Sequence, residues 1–327
     1  MKKSVLAFAA LSLVSGLAAA QSSVTVFGIL DLSMRHLKGA GSLTLLQNEG
    51  RSASRLGFRG VEDLGGGMKA GFHIEHGLNP DDGSADSVFW QRRATVSLMG
   101  GFGEVRLGRH KWADRTIQDD LDPFGTSGMP ALTRVYHSLG LAVPNRADNY
   151  VGYYLPAMGG FYGNFDVALA EGTDANKGYA GRIGYKTKTM NLSAAYGKHG
   201  AGNKLTSLTV GGSYDFGAVA LMGLYTKNER GADDQSIFNI GAYVPMGQGK
   251  LILSAASADG NGTNKDAKLL ALGYDYSMSK RTTLYTTVGR ISNDGTATFS
   301  LNGTKGVAAV TAGGNSTGYE VGVRHTF

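Results

Sequence analysis

The residues with most chemical potential in this chain are a short histidine–glutamate group and a set of arginines and aspartates. His73, Glu75 and His76 have the side chains of a metal site. On an extended strand, however, His73 and Glu75 share a face while His76 points away, so at most two ligands converge. Cysteine is absent, which excludes thiolate nucleophiles, disulfides and Cys-based zinc sites. No G-x-S-x-G elbow or P-loop is present. A hydrolase would need a serine and a histidine within hydrogen-bond reach, and His325, in step with Val323 and Phe327, has no recognisable serine motif beside it. The reading is therefore no catalytic residue, no metal site and no cofactor. What remains is fixed charge. Arg55 and Arg59 flank Gly57 at even spacing, Arg93 alternates with Thr95 and Ser97, and Asp114, Asp119, Asp120 and Asp122 crowd one stretch.

Elements that could position such charges are legible in the alternation of residue types. Leu208, Val210, Gly212, Tyr214 and Phe216 share one face, and Ser207, Thr209, Gly211, Ser213 and Asp215 the other. Leu270, Leu272, Tyr274 and Tyr276 oppose Ala271, Gly273 and Asp275. Leu30, Leu32 and Met34 oppose Asp31, Ser33 and Arg35, and Tyr319, Val321, Val323 and Phe327 oppose Glu320, Gly322, Arg324 and Thr326. This is the period of two expected of strands, with aromatics toward several strand ends. No comparably clear helical period is found after the first twenty residues.

Those twenty residues read as an export leader. Met1-Lys2-Lys3 is a positive start, Ser4 to Leu17 a mostly apolar run, and Ala18-Ala19-Ala20 before Gln21 a small-residue cleavage site. The run is too short for a spanning helix of about 20 apolar residues, and no later segment has a long unbroken apolar run. The expected division is residues 1–20 as leader and 21–327 as one domain. Of 327 residues 50 are glycine, roughly twice the usual share, while charged residues are only 18%. With Lys2 and Lys3 set aside, 30 basic residues face 26 acidic ones. So small and scattered an excess argues against nucleic acid as a partner.

Connections alternate between tight and long. Tight ones fall near Leu64 to Gly67, Gly100 to Gly103, Pro156 to Gly160, Lys188-Thr189, Phe216-Gly217, Met246 to Gly249 and Ser277 to Lys280. Longer polar stretches include Lys38 to Gly50, Lys111 to Asn145, Asp259 to Asp266 and Asn293 to Ser316. Seven tight turns and both termini at one end imply eight loops at the other, hence sixteen strands. About nineteen residues per strand and connection leaves room for a membrane strand of roughly 9–11 residues. A secreted β-sandwich also alternates, but its apolar faces close on each other and it seldom needs so many uniform hairpins. A transmembrane barrel turns the apolar face to lipid and satisfies every backbone group by closure.

Two further stretches are long and specific: Ser54-Arg55-Leu56-Gly57-Phe58-Arg59-Gly60-Val61-Glu62-Asp63-Leu64-Gly65-Gly66-Gly67, and Phe102-Gly103-Glu104-Val105-Arg106-Leu107-Gly108-Arg109 followed by Asp122-Pro123-Phe124-Gly125. With the start Ser23-Val24-Thr25-Val26-Phe27-Gly28 and the end Val321-Gly322-Val323-Arg324-His325-Thr326-Phe327, they resemble the general diffusion porins of Gram-negative outer membranes, in the form common among β-proteobacteria. The resemblance implies an all-β, sixteen-stranded antiparallel transmembrane barrel, with the long third loop folded into the lumen. It also implies a homotrimer in outer-membrane lipid, passive diffusion of ions and small hydrophilic solutes, and Phe327 as a terminal signal read by the outer-membrane assembly machinery. A barrel hydrolase and a non-conducting adhesin or structural barrel are the rival readings.

The segment Lys111 to Asn145 is 35 residues, well beyond the roughly 12–15 at which structureless loops become uncommon. Phe124, Met129, Leu132, Tyr136, Leu139 and Leu141 make it too apolar for a freely solvated tail. Packed inside a barrel, it would bring Asp119, Asp120 and Asp122 to one side of a constriction. On the wall, outward Leu56 and Phe58 send Arg55 and Arg59 inward, and outward Val96 and Leu98 do the same for Arg93. The resemblance adds Arg109 and Arg146. Strict alternation sets Arg109 in step with Val105 and Leu107, so a bulge near Gly108 would have to redirect it. Five arginines against up to four aspartates predict an anion preference.

Overall fold

Alternating exposure along the chain builds one sheet. The computed structural model describes residues 23–125, 127–136, 141–171, 177–301 and 308–327. The expected leader and Leu139 lie outside the described residues. In chain order the strands are β1 (Ser23–Lys38), β2 (Ser42–Asn48), β3 (Arg55–Gly65), β4 (Met68–Asn79), β5 (Ser84–Ala85), β6 (Arg93–Gly100), β7 (Gly103–Lys111), β8 (Arg146–Tyr154) and β9 (Phe161–Ala168). They continue as β10 (Gly178–Lys186), β11 (Met190–His199), β12 (Leu205–Asp215), β13 (Ala220–Arg230), β14 (Asp233–Met246), β15 (Gly249–Asp259), β16 (Lys265–Ser277), β17 (Thr282–Gly295) and β18 (Asn315–Thr326).

Pairing is antiparallel throughout, and β18 returns to β1 along Ile29–Lys38 to close the sheet. β2 and β3 share one position beside β1: β2 pairs with Leu32–Lys38 and β3 with Ser23–Ile29. β5 makes only a two-residue pairing with β4. Counting β2 and β3 as one position and leaving out β5 gives the sixteen strands of a closed barrel. Closure leaves no sheet edge, the condition a strand protein must meet in hydrocarbon. The seven tight connections follow β3, β6, β8, β10, β12, β14 and β16, as expected. One stretch differs from its expectation. Lys38 to Gly50 is not an open loop, because Leu43, Leu45 and Leu46 extend the ladder as β2.

One face of the long strands is exposed and mostly apolar. Leu30, Met34, Val96, Leu208, Val210, Leu270 and Val323 lie on it, while Asp31, Ser33, Arg35, Ser207, Thr209 and Asp275 are buried on the other. In water such an apolar surface would be costly; facing acyl chains it is at rest. The inner face is not uniformly polar. Along β13 to β17 it carries Leu224, Ile237, Ile252, Leu269 and Ile291, all buried.

The long connection between β7 and β8 covers that apolar inner wall. Contrary to the helix-free expectation, it contains α1 (Ala113–Leu121) and a 3-10 turn at Leu132–Val135. At nine residues α1 is too short for its period to stand out in the sequence. Its first turn is capped from another strand, the Ala113 N–H donating to the Asp166 carboxylate at 2.7 Å. Ile117, Leu121, Phe124, Met129, Leu132 and Tyr136 pack onto the wall leucines and isoleucines. The approach is close enough to need glycine at Gly241, where a Cβ would fall 1.9 Å from the Pro123 ring.

Candidate functional site

Opposite this packed connection, the inner faces of β3 and β4 and the start of β6 and β8 bring basic groups to one carboxylate. Glu75 on β4 accepts from Arg92 Nε at 2.6 Å and from Arg55 Nη1 at 3.4 Å, and His73 Nε2 lies 3.6 Å away. Arg146, at the start of β8, reaches the same place and donates from Nε to the Arg92 carbonyl. Two guanidinium groups thus share one glutamate, and a third is held beside them on the backbone of Arg92. Of the three, Arg55 and Arg146 are expected from the sequence. Arg92 is not, because it stands one residue before β6 begins, where alternation no longer dictates direction. The doublet Arg92-Arg93 is its only signal. His73 and Glu75 fall together as alternation requires, and His76 is instead stacked on Phe89.

The other three arginines expected at the constriction do not join Glu75. Arg59 sits over the Phe27 ring with its guanidinium carbon 5.2 Å from the centroid, four residues along β3 from Arg55. Arg93 donates from Nε to Thr95 Oγ1 at 3.0 Å. Both line a separate cavity of about 280 Å³ toward the tight-turn end, shared with Arg106 and Glu104. Arg106 is paired with Glu104 at 2.9 Å and lies over Tyr154. At Arg109 the β7–β8 register shifts between Gly108 and His110, and Gly108 has φ +127°, so the bulge is present. It turns Arg109 toward the Gln91 carbonyl and the Asp148 carboxylate rather than to Glu75. Arg55 and Arg146 thus lie near Glu75, Arg59 and Arg93 at the second cavity, and Arg109 beside Asp148.

The loop carboxylates divide in the same way. Asp119 is held by Lys111 and by Arg115, the latter at 3.2 Å. Asp120 pairs with Arg182 of β10 at 2.7 Å and keeps its own side chain nearly half exposed. Asp122 does not face water at all, which corrects its expected place on the pore side. It is 3% exposed and accepts from the Phe124 and Leu132 N–H groups at 3.0 and 2.7 Å. Burial pushes its carboxyl up to about 7 against those two donors, which pull it down. Its work is to fold the connection back on itself. Asp114, likewise, is buried against His199 Nε2 at 2.7 Å. Beside the loop, Arg51 pairs with Asp275 at 3.0 Å and covers the Phe124 ring, within a cavity of about 650 Å³ that also holds Asp119, Asp120, Lys250 and Arg324.

Basic groups therefore outnumber acids on one wall, while the facing loop spends most of its acids on neighbouring cations. Such an arrangement can hold a hydrated anion briefly.

Comparison with known proteins finds similar chains and a similar barrel. A family model described as Gram-negative porin matches residues 7–296. Outer membrane porin protein 32 of Delftia acidovorans is 38% identical over 353 residues, covering all of both chains. An outer membrane porin protein of Bordetella pertussis is 27% identical over 87% of this chain and 93% of its own. Among solved structures, an anion-selective porin from Comamonas acidovorans superposes with a TM-score of 0.87 at 34% identity, over 94% of this chain and 100% of that one.

Proposed function

The chain belongs to the Gram-negative porin family, and from that premise we propose that it forms a water-filled, anion-preferring channel of the outer membrane. Ions and small hydrophilic solutes cross it by diffusion, without a cofactor and without a chemical step. The observation that carries the preference is the pairing of Arg55 and Arg92 with the single carboxylate of Glu75, with Arg146 held beside them on the Arg92 carbonyl. Fixed charge selects by sign where a pore is narrow compared with the screening length, about 10 Å at 0.1 M salt. The packed connection supplies the narrowing in this reading: α1 lies against β9 to β13 and the residues after it against β13 to β17, which leaves the passage beside the arginine wall. The solved relative described as anion-selective supports the same sign.

In this reading residues 1–20 direct export and are removed, and the barrel occupies 21–327. Phe327 is the signal read by the assembly machinery, and three copies of the chain associate in the outer-membrane lipid. Purified protein in a planar bilayer tests the channel directly. Large conductance steps without added substrate, and a zero-current potential of anion-selective sign in a salt gradient, are the expected results. Absence of steps, or a cation-selective potential, overturns the reading.

A further inference from the structure

The inner wall beneath the long connection carries a row of polar side chains that the protein itself does not answer. Ser207 on β12 stands opposite Asn228 on β13, and Asn228 opposite Gln235 on β14. All three are 0% exposed. Two residues nearer the tight turns, Thr209 and Thr226 face each other in the same ladder and bond at 2.6 Å. Ser207 and Asn228 make no such bond. Among the described residues, Ser207 Oγ, both amide atoms of Asn228 and Gln235 Oε1 have no hydrogen-bond partner.

The connection closes over this row without completing it. Asp114 covers Gly197, the position opposite Ser207, and Leu121 covers Gly211, two inward steps along β12 from Ser207. Asp114, Gln118 and Leu121 recur at helical spacing on the buried side of α1, so Gln118 comes down between those glycines, over Ser207 and Thr209. Both of its amide atoms are buried and unpartnered. At the other end of the row Gln235 Nε2 donates to the Val135 carbonyl at 2.9 Å, and the next residue, Tyr136, has a buried hydroxyl without a partner. Seven polar atoms are thus shut between the connection and β12 to β14. A buried polar atom left unanswered costs more than an ordinary hydrogen bond contributes, and such atoms are rare singly. Seven on one patch mark a bound ligand.

We propose that a closed chamber between the connection and β12 to β14 binds a cluster of water molecules. The chemistry of the row selects this ligand. An ion would answer either the oxygens or the amide N–H groups and leave the other kind orphaned. The carboxylate at the β11 edge, Asp114, is already bonded to His199 at 2.7 Å. Water both donates and accepts, so it answers amides and hydroxyls alike. At about three hydrogen bonds each, two or three waters serve the row. Ser207 and Gln235 lie two strands apart, about 10 Å, which a short file of waters spans. The chamber gives α1 a wet underside, while Phe124 and Leu132 hold the rest of the connection on an apolar wall. The inference rests on the fold and is independent of the ion preference.

The test is hydroxyl-radical footprinting by brief X-ray exposure of the folded full-length protein in detergent, read by mass spectrometry. Radicals formed from a bound water label the side chain beside it, even one closed to bulk solvent. Tyr136, Leu132 and Phe299 are 1%, 1% and 3% exposed and belong to one buried cluster, yet of the three only Tyr136 has an unpartnered polar side-chain atom. After correction for intrinsic reactivity, Tyr136 should be labelled several-fold faster than the other two. Combined Ser207→Ala and Asn228→Leu removes polar atoms from the wall and should lower Tyr136 labelling several-fold. Gln118→Leu removes them from the helix side, should do the same, and serves if the double variant does not give a heat-modifiable barrel. Uniformly slow labelling of the three residues in the wild type would mean a dry seam and overturns the chamber. Uniformly fast labelling would mean a seam open to bulk solvent and overturns it equally. So does unchanged Tyr136 labelling in a folded variant of either kind.

Discussion

Gly28 and Phe327 close the barrel on each other. The Gly28 N–H donates to the Phe327 carbonyl at 3.0 Å, and the Phe327 N–H returns a bond to the Gly28 carbonyl at 3.1 Å. The terminal ring lies where a side chain on residue 28 would be, since a Cβ there would fall 2.3 Å from the ring. The last residue of the chain is thus a ladder position between β1 and β18, with its ring seated on glycine. Two consequences can be measured separately.

Deleting Phe327 removes both hydrogen bonds and the ring. The folded, heat-modifiable fraction in outer membranes should fall several-fold. Gly28→Val keeps the terminal residue but displaces its ring from the wall, and the folded fraction should fall less. If both variants reach wild-type yield, neither the seam nor the terminal signal depends on this contact.

Asp122 makes the packing of the long connection depend on pH. Burial raises its carboxyl to about 7, so the packed state holds a proton that a released connection, titrating near 4, would lose. The sign follows: packing is favoured most below about pH 4, weakens as pH rises, and has lost the whole contribution above about pH 7. Conductance fluctuations from loop release should increase several-fold between pH 5 and pH 8. Asp122→Asn sets an amide N–H2 against one backbone N–H, so it should be noisy at both pH values and show no such trend. A wild type with flat noise across this range would show that the loop does not release through Asp122.

Phe124 tests the packing itself. It is buried against the inner wall and under the Arg51 guanidinium. Phe124→Ala should cost about 3–5 kcal/mol of local packing. The barrel has its own ladder, so folded yield should hold while mean single-channel conductance rises. A folded variant with unaltered conductance would place the connection outside the permeation path.

Much of this molecule is legible in its residue order because a membrane barrel writes its two faces directly into a period of two. Seven tight turns and the exposed rows led by Leu208 and Leu270 follow from that period alone. The site is less legible, for reasons that differ residue by residue. Arg92 precedes its strand, so parity says nothing about it. Arg109 stands in a bulge, where parity fails. Asp122 looks like a pore charge in the sequence, yet two backbone N–H groups at close range claim it. Arg182, the partner of Asp120, belongs to a strand more than sixty residues farther along, and local pattern cannot pair the two. The apolar inner wall at Ile237 and Leu269 likewise has a meaning only once the connection that covers it is placed.

Ion selectivity separates the two levels of arginines. Arg55 and Arg92 share Glu75 beside the passage that the proposed function narrows, whereas Arg93 and Arg59 line the second cavity toward the tight turns. A field acts on permeant ions in proportion to how close they must pass and how little salt intervenes. Arg55→Gln with Arg92→Gln removes both guanidinium partners of Glu75 and leaves it with His73 alone among its paired neighbours. The zero-current potential in a salt gradient should then move strongly toward the cation-selective side, and the shift should shrink as total salt rises. Arg93→Gln with Arg59→Gln removes the same formal charge from the wider level and should move the potential by less than half as much. Equal shifts from the two pairs would mean that both levels are comparably narrow. An unmoved potential in the first pair would mean that the cluster at Glu75 does not set selectivity.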